Sequence, residues 1–189
     1  ELPSVHHPKN QWLYTRLNTT IREVNMALDE YRIPQATREI KACMDDMSKW
    51  YIRTARNDFA SGDIEFLQTL YDNFVRLLHL LAPFAPFITE YLYQQLVVSQ
   101  NSEASQSIHL SQYPEPEYEG EIDKLVKDQV GQVKIILEQG FKLREVSAIK
   151  VRQPLQSLGV EGLELTDWMR DIIKTEINVK EVVSHTVSD

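Results

Sequence analysis

The sequence predicts a mainly α protein: an antiparallel helical bundle, then a long helix and a small α/β appendage. Three observations carry that prediction. Apolar residues recur every three and four positions through the first half of the chain, as on one face of a helix. The segments so marked are separated by short breaks at Pro34, Ser61-Gly62-Asp63 and Pro83 to Pro86. Strand character enters only beyond Gln156.

Leu13, Leu17, Ile21, Val24, Leu28 and Tyr31 set the first helix, over about 9–31. Pro34 suits the first turn of a second helix, whose stripe runs through Ile40, Cys43, Met47, Trp50 and Tyr51 to the break at Ser61. Leu67, Leu70, Tyr71, Phe74, Leu77, Leu78 and Leu81 describe a third, strongly apolar helix, read as central to the bundle. Two prolines in Ala82-Pro83-Phe84-Ala85-Pro86-Phe87 force a turn, and a fourth helix follows to about Val98. Residues 99–106 are polar and aperiodic, a surface loop.

Ser107 to Leu110 reads as extended, and the prolines of Tyr113-Pro114-Glu115-Pro116-Glu117 oppose a helix, so a boundary is placed here. The expected domains are 1–106, the bundle, and 107–189, the long helix with its appendage. Ile122, Leu125, Val126, Val130, Val133 and Leu137 mark a helix over about 121–146. Strands are expected at 156–160 and 177–183 around a helix at 166–175, an order that suits a parallel pair with a right-handed crossover.

Composition narrows the function classes. No apolar run approaches the ~20 residues of a membrane helix, and the opening Glu1-Leu2-Pro3-Ser4 is neither a basic nor an apolar leader segment. The expectation is a soluble, cytoplasmic protein with no membrane partner. The single cysteine, Cys43, can form neither an internal disulfide nor a thiolate zinc site and reads as a buried core thiol. A net charge of -8 opposes binding to nucleic acid, but the charge is segregated. Residues 9–60 hold nine Lys/Arg against seven Asp/Glu, while residues 61–128 hold three against eleven. Lys142, Arg144, Lys150 and Arg152 form a second basic island with Glu145 as its one acid.

Catalytic chemistry finds no footing. There is no phosphate-cradling glycine loop among the 6 glycines. Asp45 and Asp46 are neighbours on a helix and face different ways, which suits solvated side chains better than an acid and base pair. His6-His7 lacks metal-ligand companions and reads as a tail; His79 reads as a structural histidine of the third helix, and His109 has no nucleophile near it. No catalytic residue, metal or cofactor is expected in the chain itself. Met47-Ser48-Lys49, like part of a lysine-rich ATP-binding loop, falls inside a helical stripe and is set aside.

Three stretches nonetheless form a pattern. Trp12-Leu13-Tyr14-Thr15-Arg16-Leu17-Asn18, Trp50-Tyr51-Ile52-Arg53-Thr54-Ala55-Arg56, and Leu81 to Ile88 with Glu90 and Tyr93 resemble the anticodon-binding bundle of class I aminoacyl-tRNA synthetases for aliphatic amino acids. Ile149-Lys150-Val151-Arg152-Gln153-Pro154-Leu155, with Asn178 to Val182 after it, is similar to the segment following the long helix in isoleucyl-tRNA synthetases. The resemblance covers about 11–184 and implies that the chain is an excised C-terminal region of such an enzyme. Its partners would be isoleucine tRNA and a catalytic domain, which would use ATP with magnesium and is absent here. The valyl and leucyl enzymes are the nearest alternatives, and a non-catalytic helical module that recruits a protein through its acidic middle is the alternative of another class.

Lys49, Arg53 and Arg56, spaced by four and three, would share one face of the second helix, where a nucleic-acid backbone could track. Guanidinium groups grip phosphate through two hydrogen bonds or stack on unpaired bases, and an anticodon loop offers both. Trp12 and Arg16 stand one turn apart on the first helix, with Asn18 beside them. Trp12 and Trp50 also suit core positions, the reading preferred for Trp50; Arg53 and Arg56 suit RNA contact or docking to the catalytic domain. Lys142, Arg144, Lys150 and Arg152 would meet the tRNA stem, the resemblance implies. The expected tRNA-binding set is therefore Trp12, Arg16, Asn18, Lys49, Arg53, Arg56, Lys142, Arg144, Lys150 and Arg152.

Overall fold

Pro8 occupies the first turn of the first helix, α1 (Pro8–Asp29), where its missing N–H costs nothing, and His7 caps the helix by accepting from Lys9 N at 3.2 Å. The computed structural model describes residues 5–185; the opening four residues, read above as no leader, and residues 186–189 lie outside the described residues. His7 is therefore not a tail residue. Its ring also lies 4.9 Å from that of Phe66, and a tail has no such partner.

The chain divides into two compact units, one up to Asp123 and one from Lys124. In the first, α1 packs against α2 (Ile33–Asp46) and α4 (Ile64–Leu81), and α4 packs in turn on α5 (Pro86–Tyr93). Leu13, Leu17, Ile21, Val24 and Ala27 are wholly buried along α1, each large side chain contributing roughly 1.5–3 kcal/mol of transfer free energy. Cys43 is buried too, and burial pushes its thiol above the ordinary value.

The second helix is not continuous to Ser61. A π-helical turn, Met47–Ile52, follows α2, and a separate short helix, α3 (Arg56–Ala60), begins after Ala55. Ser48 Oγ donates to the carbonyls of Met44 and Asp45, and Thr54 Oγ1 to those of Trp50 and Tyr51. Hydroxyls bonded to the preceding turn in this way compete with the backbone ladder and bend helices. A second π-helical turn, Gln94–Val98, extends α5.

The third helix buries Phe66, Thr69, Asn73, Leu77, Leu78 and Leu80, whereas Leu67 and Tyr71 are exposed. With Met44, Met47, Ile52 and Leu96 they line an open apolar groove of about 550 Å3. Residues 108–110 form a 3-10 turn rather than an extended stretch. Glu90 organises it, accepting from Ser107 Oγ and Ile108 N at 2.9 and 3.0 Å, while Ile108 joins the cluster of Leu78, Ala82 and Tyr93.

The proline-rich segment beyond it is tied to the bundle. Tyr113 donates to Leu80 O, Asn25 to Pro114 O, and Arg76 and Arg22 pair with Glu117 and Glu119. Hence the division between units falls after Asp123, whereas the sequence places a break near 107. At the start of the long helix α6 (Glu121–Val146) the Asp123 side chain accepts from Gly120 N at 2.8 Å and so satisfies one of the amides the helix leaves unpaired.

In the second unit, β1 (Leu155–Glu161) and β2 (Val179–His185) pair in parallel with Leu155 opposite Val179, and α7 (Asp167–Ile177) makes the crossover and packs on β2. Met169, Ile173 and Ile177 are the fully buried stripe of α7. Gly140 of α6 lets Ile177 approach closely; a Cβ there would lie 2.7 Å from Ile177 Cδ1. Asn178 ends α7 in the left-handed region at φ 58°, a conformation asparagine tolerates better than most residues.

Glu65 ties the N-terminal end of α1 to α4, accepting from His7 N, Asn10 Nδ2 and His6 N. Burial pushes its pKa up, but these donors, His7 N foremost, outweigh it and hold the carboxyl below its ordinary 4.5. A depressed folded value means that the stabilisation is complete above the unfolded value and disappears as pH falls through the folded one. The melting-temperature gap between the unaltered chain and Glu65→Gln is expected to be largest near neutrality and to close as pH drops below 4.5; a gap that persists unchanged into acid contradicts this assignment.

Candidate nucleic-acid interface

The ten residues expected to contact tRNA separate by environment. Trp12 is buried, its ring 4.4 Å from that of Trp50, itself buried, so both are core residues that lock α1 to the first π turn. Arg16, largely buried, pairs with Asp46 at 2.7 Å and donates to Thr20 Oγ1. Asp46 is thus an internal partner rather than a solvated acid.

Asn18 is also structural. Its Nδ2 donates to Glu117 O at 2.9 Å and its Oδ1 accepts from Glu117 N at 2.6 Å, so one amide side chain satisfies both backbone groups of a single residue. That pairing gives an otherwise irregular segment a fixed path along α1.

Lys49, Arg53 and Arg56 are exposed. Lys49 lies in the π turn and pairs with Asp45 at 2.8 Å, an exposed contact worth little. Arg53 ends that turn and Arg56 opens α3, so the three cations follow a π turn, a junction and a new helix instead of one straight α-helical face.

In the second unit Lys142, Lys150 and Arg152 are exposed, whereas Arg144 is 3% exposed. Arg144 Nη1 donates to Lys150 O and Gln153 O at 3.1 and 3.0 Å, and Nη2 donates to Asn178 O at 3.0 Å. From the other side Asn178 Nδ2 donates to Val151 O at 2.9 Å. The loop that presents Lys150 and Arg152 is thereby held at its carbonyls, which leaves its cationic side chains to the solvent. Sequence pattern found the island; it did not separate the presented cations from the one that holds them.

Elsewhere His79 bonds to Val75 O through Nδ1 and meets Tyr93 edge-on, a structural role. No helix among the described residues is long and apolar enough to cross a membrane.

Comparison with known proteins bears directly on these surfaces. Residues 10–158 match the family described as the anticodon-binding domain of tRNA ligase. The chain is similar to the isoleucine–tRNA ligase of Clostridium acetobutylicum, 38% identical over 92% of this chain and 17% of that protein. It is likewise similar to those of Streptomyces coelicolor, 35% identical over 93% of this chain and 17% of that protein, and Cutibacterium acnes, 31% identical over 96% and 16%. The chain thus spans about a sixth of the length of these relatives.

Environment predicts opposite responses on one surface. Asn18→Ala strands the amide and carbonyl of Glu117 and is expected to destabilise the fold by roughly 1–3 kcal/mol, while Arg53→Ala, at an exposed site, stays within about 0.5 kcal/mol of the unaltered chain. Urea denaturation of the two variants measures both; equal losses would contradict the division into structural and presented residues.

Proposed function

We propose that this chain, which belongs to the family of anticodon-binding domains of tRNA ligases, recognises the anticodon loop and stem of isoleucine tRNA as part of an isoleucyl-tRNA synthetase. The observation that carries the reading is the set of exposed cations, Arg53 and Arg56 in the first unit and Lys142, Lys150 and Arg152 in the second, on a chain of that family. The similarity of this chain to isoleucine–tRNA ligases supports the choice of amino acid over the valyl and leucyl alternatives.

The chemistry proposed for these residues is electrostatic. Arg53 and Arg56 hold phosphates or stack on unpaired bases of the anticodon loop; Lys142, Lys150 and Arg152 hold phosphates of the stem. Lys49 contributes less because Asp45 already offsets its charge. Trp12, Arg16 and Asn18 serve the packing of the first unit, and Arg144 separately holds the loop of Lys150 and Arg152 in the second. The parent enzyme would ligate isoleucine to its tRNA in the cytoplasm, with ATP and magnesium bound in a catalytic domain of the same chain, to which the bundle docks. This chain supplies recognition and no catalytic group.

Because the overall charge is -8, the chain alone is expected to bind isoleucine tRNA weakly at physiological salt. Micromolar or tighter affinity with preference over other tRNAs would contradict that expectation. In the parent enzyme, Arg53→Ala or Arg152→Ala is expected to raise KM for tRNA several-fold and to leave ATP-dependent isoleucine activation unchanged. Equal losses in both reactions would point to folding or domain docking. A gel shift separates the rival class, since a protein-recruiting acidic module leaves tRNA unshifted.

A further inference from the structure

The loop 147–153 carries two exposed cations, and its backbone bonds lie mostly at its start. Ser147, Ala148 and Ile149 N reach back to Leu143, Glu145 and Arg144 O at 3.0, 3.0 and 2.9 Å, with Ala148 in the left-handed region at φ 54°, and Gln153 N donates to Lys150 O at 2.9 Å. The stretch 150–153, which bears both cations, gains further bonds from side chains outside the loop. Arg144, from the last turn of α6, supplies them on one side, and Asn178, the cap of α7, on the other.

Arg144 is an uneconomical choice for stability alone. Its guanidinium is buried, its bonds go to three carbonyls and to no carboxylate, and its Nε has no partner. A buried cation without a countercharge is commonly less stabilising than a well-packed apolar side chain. What it supplies is geometry. A planar fork with five donors can fix carbonyls from Lys150, Gln153 and Asn178 at once, and a lysine, a point charge on a flexible stem, cannot reproduce that pattern. The Asn178 carbonyl it holds also accepts Leu155 N, the first residue of β1, so loop and sheet share one anchor.

We infer that Arg144 is the positioning residue of the chain's RNA contact: it never touches RNA, but locks the loop 147–153 so that Lys150 and Arg152 are presented on a fixed backbone. This inference rests on the proposed tRNA-binding reading and adds a division of labour within the basic island. Fixing the backbone in advance removes ordering cost from the binding step, which is how a shell of supporting bonds improves affinity without adding a contact.

The test uses the whole chain with Arg144→Lys and Arg144→Met, each read in two ways. Hydrogen exchange at the Gln153 amide reports the lock without RNA, and both variants are expected to speed it roughly tenfold or more, with amides of the β1–β2 ladder beyond Leu155 unchanged. Binding of isoleucine tRNA at low salt reports the consequence. Arg144→Lys, which keeps the charge, is expected to weaken it about fivefold or more, and to change it less than about twofold once Lys150→Ala and Arg152→Ala are present. Unaltered Gln153 exchange in Arg144→Met would overturn the lock. An equal loss of affinity with and without Lys150 and Arg152 would make Arg144 a direct contact and overturn its positioning role. Absence of tRNA binding by the unaltered chain overturns the functional reading instead, while the exchange arm still decides on the lock.

Discussion

Helix α1 must bury an apolar stripe against two neighbours at once, and the first unit is arranged around that requirement. Leu13, Leu17, Ile21 and Val24 are sealed between α2 and α4, which leaves the polar residues of α1 on the remaining faces. Those residues are then used as anchors: Asn18, Thr19, Arg22 and Asn25 hold the proline-rich strand of chain that returns along the helix. A segment with no periodicity and two prolines thus acquires one path, because its backbone groups find partners on a helix already fixed by its own core.

The same economy governs the charges. Each unit spends some of its cations internally and leaves others exposed. Arg16 neutralises Asp46, and Lys9 pairs with Asp58 beside the ring of Phe66; Arg22 and Arg76 offset the acids of the returning segment. Part of the basic charge of residues 9–60 is therefore spent inside the first unit. Other cations stay exposed, Arg38, Lys41, Arg53 and Arg56 among them, and on a chain of net charge -8 it is their placement, more than their number, that would permit a local contact with RNA.

Most of the fold was legible because it rests on helical periodicity and breaks. The limits of α1, α4, α6 and α7 follow from apolar spacing and from Pro, Gly and capping residues, and the parallel strand pair follows from the order of elements around α7. The π turn was hidden because Ile40, Cys43, Met47 and Trp50 keep a regular spacing of three and four across it, so the apolar stripe runs on through the change in hydrogen bonding. Roles within the basic and polar motifs were hidden for another reason. Asn18 and Glu117 are 99 residues apart in sequence, and Arg144 and Asn178 are 34 apart, so nothing near either side chain announces that it is a strut. Exposure in the folded chain, which no single residue type determines, is what divides Arg144 from Arg152.

The central claim is that exposed cations meet phosphate, and the salt dependence of tRNA binding measures that most directly. For the five exposed cations Arg53, Arg56, Lys142, Lys150 and Arg152, a plot of log affinity against log salt concentration is expected to be linear with a slope steeper than about −2, and to flatten when these five are replaced by glutamine. Binding that persists with a slope near zero would place the contact elsewhere and contradict the account.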